Sequence, residues 1–219
     1  MRLILASGSP RRRELLAMAG FDFEVVPADV DETPEPGMPP EKLVAVLSEK
    51  KACAIKDMII AKGSKVEGSK VEGSKVENSK IEENTIIIGA DTVVAIDGLI
   101  LGKPENEEDA FDMLTRLQGR MHIVYTGVTV LSAFSSIKDT FVESTKVYMT
   151  KLTDKDIRSY IATGEPLDKA GAYGIQERGA VLVERVEGDY FTVVGLPLCR
   201  LNAVLKKFRT DVWKISLEF

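Results

Sequence analysis

The sequence predicts an α/β fold, a mixed central sheet flanked by helices, and three observations predict it. Strand-like and helix-like segments alternate along the 219 residues, the pattern of a sheet covered by helices. The apolar run 86–94 lacks polar and apolar alternation, as a central strand buried on both faces does. Asp97-Gly98 separates apolar residues 93–96 from 99–102, a strong two-residue hairpin signal that adds antiparallel pairing.

The elements follow in order. Arg2–Ala6 reads as a short buried strand and Pro10–Ala19 as a helix that Gly20 ends. Ser9 suits the N-cap and Pro10 the first helical position. Phe21–Val26 reads as a second strand, and an acidic, proline-rich loop covers 27–40. A long helix is expected from Glu41 to Ala61, then a strand over Thr85–Ile96 and a helix over Glu107–Gln118. Ile123–Leu131 and Thr140–Thr150 read as strands, Asp154–Thr163 as a helix. A glycine-rich stretch of loops and strands runs to Gly188, and a helix over Leu198–Phe208 closes the fold. The expectation is one domain across 1–219.

The segment 63–82 departs from this pattern. It repeats GSKVE three times and then NSKIE. Period five turns the valine about 140° per repeat on a helix and flips its face on a strand, so no buried face forms. It reads as a solvated surface insertion whose deletion leaves activity within a few-fold.

Composition excludes whole classes. A single histidine, His122, rules out paired-histidine zinc chemistry and reads as a satisfied structural residue. Two cysteines, Cys53 and Cys199, build no disulfide framework and fit a reducing, cytoplasmic setting. A net charge of −5 argues against a nucleic-acid coat, and no apolar run approaches membrane-spanning length. Neither a Walker motif nor GxGxxG is present.

Several residues break local rules. Arg11, Arg12 and Arg13 fill the first turn of a helix, where the dipole disfavours cations unless an anion is bound. Arg12 continues the apolar stripe of Leu15, Leu16 and Ala19, so it points inward. Lys51 falls near the middle of the stripe Leu43, Leu47, Ala54 and Met58, and must pair, snorkel or bind an anion. Asp91 stands inside the buried run, and a carboxylate there costs several kcal/mol unless it is paired or metal-bound. Gly89 precedes it on the same face and leaves room for a ligand. Counting back from the hairpin puts Lys103 opposite Thr92. The acidic loop with Asp29, Asp31, Glu32 and Glu35 can supply oxygen ligands for Mg²⁺. Together these are the parts for metal-assisted attack of water on a polyphosphate.

The motifs resemble those of the Maf family of nucleoside triphosphate pyrophosphatases. Ser7-Gly8-Ser9-Pro10-Arg11-Arg12 with Glu14-Leu15-Leu16 is similar to the family's opening signature. Asp31-Glu32, Lys51-Ala52, Gly89-Ala90-Asp91-Thr92 and Gly102-Lys103-Pro104 follow in the family's order. So do Thr126-Gly127-Val128, the run from Asp168 to Gln176, and Gly188-Asp189-Tyr190. Typical members lack the pentad repeat.

The resemblance implies a fold related to inosine triphosphate pyrophosphatases and hydrolysis of a nucleoside triphosphate to monophosphate and pyrophosphate. It makes Asp91 the proton acceptor, and Arg11, Thr92 and Gln176 the residues that sort substrates. The SPRR opening with the YGIQ glutamine resembles the branch acting on dTTP and UTP. Ser9, Arg12, Lys51 and Lys103 are expected on the phosphates, and Glu32 on a divalent cation, Mg²⁺ or Mn²⁺. The expected partner is a small nucleotide, with neither nucleic acid nor membrane; many members dimerise, which leaves a homodimer open. A non-catalytic nucleotide-binding regulator and a pyrophosphatase for a modified nucleotide are the alternatives. Two tensions stand: helical angles turn Arg12 inward while the family sorts with Arg11, and alternation puts Thr92 and Asp91 on opposite faces. Both fit if the site sits where the strand ends or bulges.

Overall fold

A computed structural model describes residues 2–66 and 84–208. The pentad repeat lies outside the described residues from 67 onward, and with it the expectation of a surface insertion. The elements are β1 (Arg2–Leu5), α1 (Pro10–Met18), β2 (Glu24–Val25), α2 (Pro40–Val66), β3 (Thr85–Ile96) and β4 (Leu99–Leu101). Next come α3 (Glu107–Leu117), β5 (Met121–Ser132), β6 (Lys138–Met149) and α4 (Asp154–Ile161). Three 3₁₀ turns over Glu165–Asp168, Ala170–Ala172 and Glu177–Leu182 precede β7 (Val183–Glu187), α5 (Tyr190–Val194) and α6 (Leu198–Lys207).

The mixed sheet has seven strands in the order β2-β1-β3-β5-β6-β7, with β4 also paired to β3. The Asp97-Gly98 hairpin forms in the expected register, Ile96 opposite Leu99, with φ of 52° and 76° at the two turn residues. Three expectations need correction. The strand over Phe21–Val26 shrinks to Glu24–Val25, because only Ile4 and Leu5 lie alongside to pair with it. Helix α2 runs past Ala61 into the first repeat unit, since a formed helix extends at little cost per residue. Helix α5 was not anticipated; Asp189 caps it by accepting from the Thr192 amide and hydroxyl.

Strand β3 is the spine. One edge pairs with β5 from Ile86 to Ala95. The other edge is divided: β1 pairs in parallel up to Ile88, and β4 pairs antiparallel from Val94. Among the described residues no strand covers Gly89–Val93 on that side. The faces differ as well. Ile86, Ile88 and Ala90 join a core with Leu15, Leu16, Leu201 and Leu205, while Val94 and Ile96 join a second core with Leu114, Leu117 and Ile157. Thr92 falls between the two cores. On the opposite face α2 lies across β3 and β5, with Ala52 and Ile55 against Ile87, and Leu43 and Leu47 against Val93.

Two glycines allow that approach. A Cβ at Gly89 would overlap the Ser48 carbonyl and crowd the Ala52 amide, and one at Gly127 would overlap the Val44 carbonyl. Gly89 therefore does not leave room for a ligand, as its position suggested. The backbone of α2 occupies that room and sets Lys51 directly over Asp91.

Candidate active site

The gap in the edge of β3 opens into a cavity of about 770 Å³. Its lining includes Ser9, Arg11, Arg12, Glu32, Lys51, Asp91, Thr92, Lys103 and Gln176. Every site residue expected from the sequence meets there. The uncovered stretch resolves the question of opposite faces: with no neighbouring strand in the way, Asp91 reaches the cavity from the α2 side and Thr92 from the other.

Asp91 is only 6% exposed. Lys51 Nζ donates to Asp91 Oδ1 at 2.7 Å and also pairs with Glu32 Oε1 at 2.7 Å. Burial pushes the Asp91 carboxyl above the ordinary carboxylate range, and Lys51 and Arg12 offset part of that rise. The carboxylate is thereby a stronger base than a solvated aspartate, next to cations that favour its ionised form.

Arg12 points inward, as the helical stripe predicts, and is buried. Its Nε donates to the Gly195 carbonyl at 2.8 Å, and its terminal nitrogens donate to Ser7 Oγ at 3.1 Å and Thr92 Oγ1 at 2.9 Å. Thr126 Oγ1 donates to the Thr192 carbonyl at 2.7 Å, so at the 2.9 Å contact between the two threonines Thr92 is the donor. Burial works against the guanidinium charge, and Asp91 favours it. Arg11 points across the cavity to Asp168, with Nη1 donating to Oδ2 at 3.0 Å. Arg13 is exposed. The two inner arginines thus have separate places, one locked beneath the site and one at its mouth.

Ser9 stands at the α1 N-cap, and its side chain makes no capping hydrogen bond. Lys103 lies two residues beyond the end of β4, exposed at the cavity wall, and makes no hydrogen bond or ion pair among the described residues. Gln176 is half-buried on the loop between the second and third 3₁₀ turns. Glu32 is the one member of the acidic loop that contacts Lys51; Asp31 instead accepts from the Thr33 amide.

Sequence reasoning missed Lys169. It is 7% exposed, lines the cavity, and donates from Nζ to the Glu165 carbonyl and to Asp168 Oδ1, both at 2.8 Å. A lysine followed by Gly171 and Gly174 was the available signal, because small residues let the chain close over its stem; a Cβ at Gly174 would crowd Lys169. His122 lies outside the cavity. Nε2 meets the Tyr173 hydroxyl at 2.7 Å, Nδ1 has no partner among the described residues, and burial lowers its pKa to about 4. It is structural, but only one ring nitrogen is satisfied.

The donor set suits a divalent cation in one specific way. No group of three or more His, Cys, Asp or Glu side chains converges among the described residues. Asp91 and Glu32 do converge, on Lys51 Nζ. Mg²⁺ is commonly held by one or two carboxylates with phosphate oxygens and water completing the shell. Asp91 and Glu32 fit that role when a phosphate chain supplies the remaining oxygens.

An α/β sheet with a cationic cleft at an interrupted strand edge, and a buried carboxylate on that strand, is an arrangement suited to phosphorylated ligands. The family is shown directly: the model of Maf-like proteins matches residues 2–208, and the chain belongs to that family. A dTTP/UTP pyrophosphatase of Pelotomaculum thermopropionicum is 44% identical over 96% of this chain and 98% of its own. Those of Acetivibrio thermocellus and Caldicellulosiruptor saccharolyticus are 46% and 43% identical, each over at least 98% of both chains. Among solved structures, the Staphylococcus aureus Ham1 protein overlaps 68% of this chain and 72% of its own, at 12% identity and a TM-score of 0.38. No helix among the described residues is long and apolar enough to cross a membrane.

Proposed function

We propose that this chain hydrolyses nucleoside triphosphates, dTTP and UTP foremost, to the monophosphate and pyrophosphate. The carrying observation is Asp91, a buried carboxylate of raised pKa at an uncovered strand edge, facing a cavity lined by Arg11, Arg12, Lys51, Lys103 and Lys169. The relatives' shared name supports both the reaction and the pyrimidine preference.

In this reading the triphosphate lies along the cations, with the α-phosphorus nearest Asp91. Asp91 accepts a proton from the attacking water as the bond from oxygen to phosphorus forms and the bond to the β-phosphate bridging oxygen breaks. Lys51 holds the carboxylate in place and faces the charge that develops on the phosphoryl oxygens. Lys103 and the first turn of α1 at Ser9 meet the departing pyrophosphate. Arg12 acts from below, fixing Thr92 and the Ser7 loop. Asp91 and Glu32 would hold a divalent cation, which when bound would neutralise charge on the phosphate chain. Arg11, Thr92 and Gln176 sort the substrate; the Gln176 amide both donates and accepts, which matches the edge of uracil or thymine.

The test is product identification. The protein is incubated with a panel of nucleoside triphosphates and Mg²⁺, and the products are separated. Monophosphate plus pyrophosphate, fastest with dTTP and UTP, is expected. Diphosphate plus orthophosphate means a phosphatase, and unchanged but bound nucleotide means a regulator.

A further inference from the structure

The loop that carries Gln176 is held at both ends by one pair of residues that lies behind it. The Gly174 amide, before Gln176, donates to the Tyr160 hydroxyl at 3.1 Å. After Gln176, the amides of Arg178 and Gly179 donate to Glu165 Oε2 at 3.1 Å and Oε1 at 2.9 Å. The two anchors are joined, because the Tyr160 hydroxyl donates to Glu165 Oε1 at 2.9 Å. Gly179 can take this place only as glycine, since a Cβ would overlap the Gly174 carbonyl and crowd the Tyr160 hydroxyl. Between the anchors Glu177 is bent to a φ of 56°, a left-handed conformation that a non-glycine residue keeps only when its surroundings impose it. Neither Tyr160 nor Glu165 lines the cavity.

We infer that Tyr160 and Glu165 are positioning residues for substrate selection, acting through Gln176 on the pyrimidine base. The inference rests on the proposed function for the role of Gln176. The chemistry is that of a fixed amide. A glutamine side chain discriminates between base edges only if its donor and acceptor stay in place, and its backbone would otherwise relax away from the strained turn at Glu177. Glu165 is suited to the task because both its oxygens are committed to the loop. Tyr160 anchors it from the core, as a buried member of the cluster that also holds Leu114, Ile157 and Leu182. Lys169 adds a further tie by donating to the Glu165 carbonyl.

A double-mutant cycle tests this. Tyr160→Phe keeps the ring and removes the hydroxyl that joins the two anchors. Dissociation constants for UTP are measured by calorimetry without a divalent cation, so no turnover is needed, and KM and kcat are measured with Mg²⁺. Tyr160→Phe is expected to weaken UTP on the order of tenfold, the loss of about one hydrogen bond, with a larger change in KM than in kcat. In the Gln176→Ala background the same substitution is expected to change the constant less than about twofold, since coupled residues are not additive. Glu165→Gln, which retains one acceptor oxygen, is expected to fall between wild type and Tyr160→Phe.

An equal loss in the two backgrounds overturns the inference, as does wild-type affinity in Tyr160→Phe. Pyrophosphate release by the wild type is read first and separately. If it is absent while UTP binds and the cycle is non-additive, the proposed reaction fails and the positioning role stands. If UTP does not bind at all, both fail. Should Tyr160→Phe not fold, as read by its thermal transition, the cycle is run with Glu165→Gln.

Discussion

Lys51 and Asp91 form a buried pair at 2.7 Å, each less than a tenth exposed, on two elements that meet face to face because Gly89 has no side chain. Removing one partner of such a pair leaves an uncompensated charge. That coupling makes both residues sensitive probes of the reaction.

Asp91→Asn keeps the size of the side chain and leaves Lys51 its contact with Glu32. Pyrophosphate release is expected to fall by about 10²–10⁴-fold, as for loss of a general base, with an unchanged circular dichroism spectrum. A rate within a few-fold of wild type would remove Asp91 from the chemistry.

The pH profile carries a signed expectation. Asp91 must be ionised to accept a proton, so kcat/KM falls as pH drops through its pKa, which burial raises above 3.8. Lys51 favours the ionised form, so Lys51→Met is expected to move the acid limb to higher pH as well as lower the rate. A limb that stays in place or moves down contradicts the pairing.

His122 makes stability depend on pH through another route. Its folded pKa of about 4 lies below the 6.5 of the ordinary side chain. Between those values the unfolded chain binds a proton that the native one excludes, so stability is complete above 6.5 and declines as pH falls towards 4. The loss is on the order of 3 kcal/mol. Urea titrations across this window should show it, with a flatter dependence in His122→Gln.

Gly89→Ala and Gly127→Ala each force a methyl group against the backbone of α2. A cost of about 1–3 kcal/mol or more is expected for each, read as a lower Tm. Gly89→Ala should also lower activity beyond its stability cost, because lifting α2 separates Lys51 from Asp91. Gly127, which faces Val44 rather than the lysine, should affect stability first.

Much of this site was legible because its residues contradict their local settings. Asp91 within an apolar run, Lys51 on an apolar stripe and Arg12 in a dipole-positive first turn each announced an absent partner. The hairpin at Asp97-Gly98 fixed the course of β4 and so brought Lys103 to the cavity wall. What could not be read was tertiary in origin. The stripe and the strand each predicted a buried charge, but no sequence pattern says that Lys51 and Asp91 answer one another. Gly89 was misread because a missing side chain signals close approach without saying of what. Tyr160 and Glu165 look like an ordinary helix-end aromatic and a loop acid, and their role exists only once the chain has turned back over them. The same holds for Lys169.

The divided edge of β3 also bears on how the molecule assembles. The pairs β3–β4 and β5–β6 join strands adjacent in the chain, and β3 meets β5 across intermediate separations such as Ala95 to Ile123, whereas β1 must find β3 across a longer one such as Arg2 to Thr85. Contacts between near neighbours form early and those that close long loops form late. The wall carrying Ser9, Arg11 and Arg12 is therefore expected to dock last, on a sheet whose other wall is already built. Pulse-labelled hydrogen exchange would show protection of β5 and β6 before β1. Catalytic competence would then be the final event of folding, and regain of activity would lag behind recovery of most of the sheet.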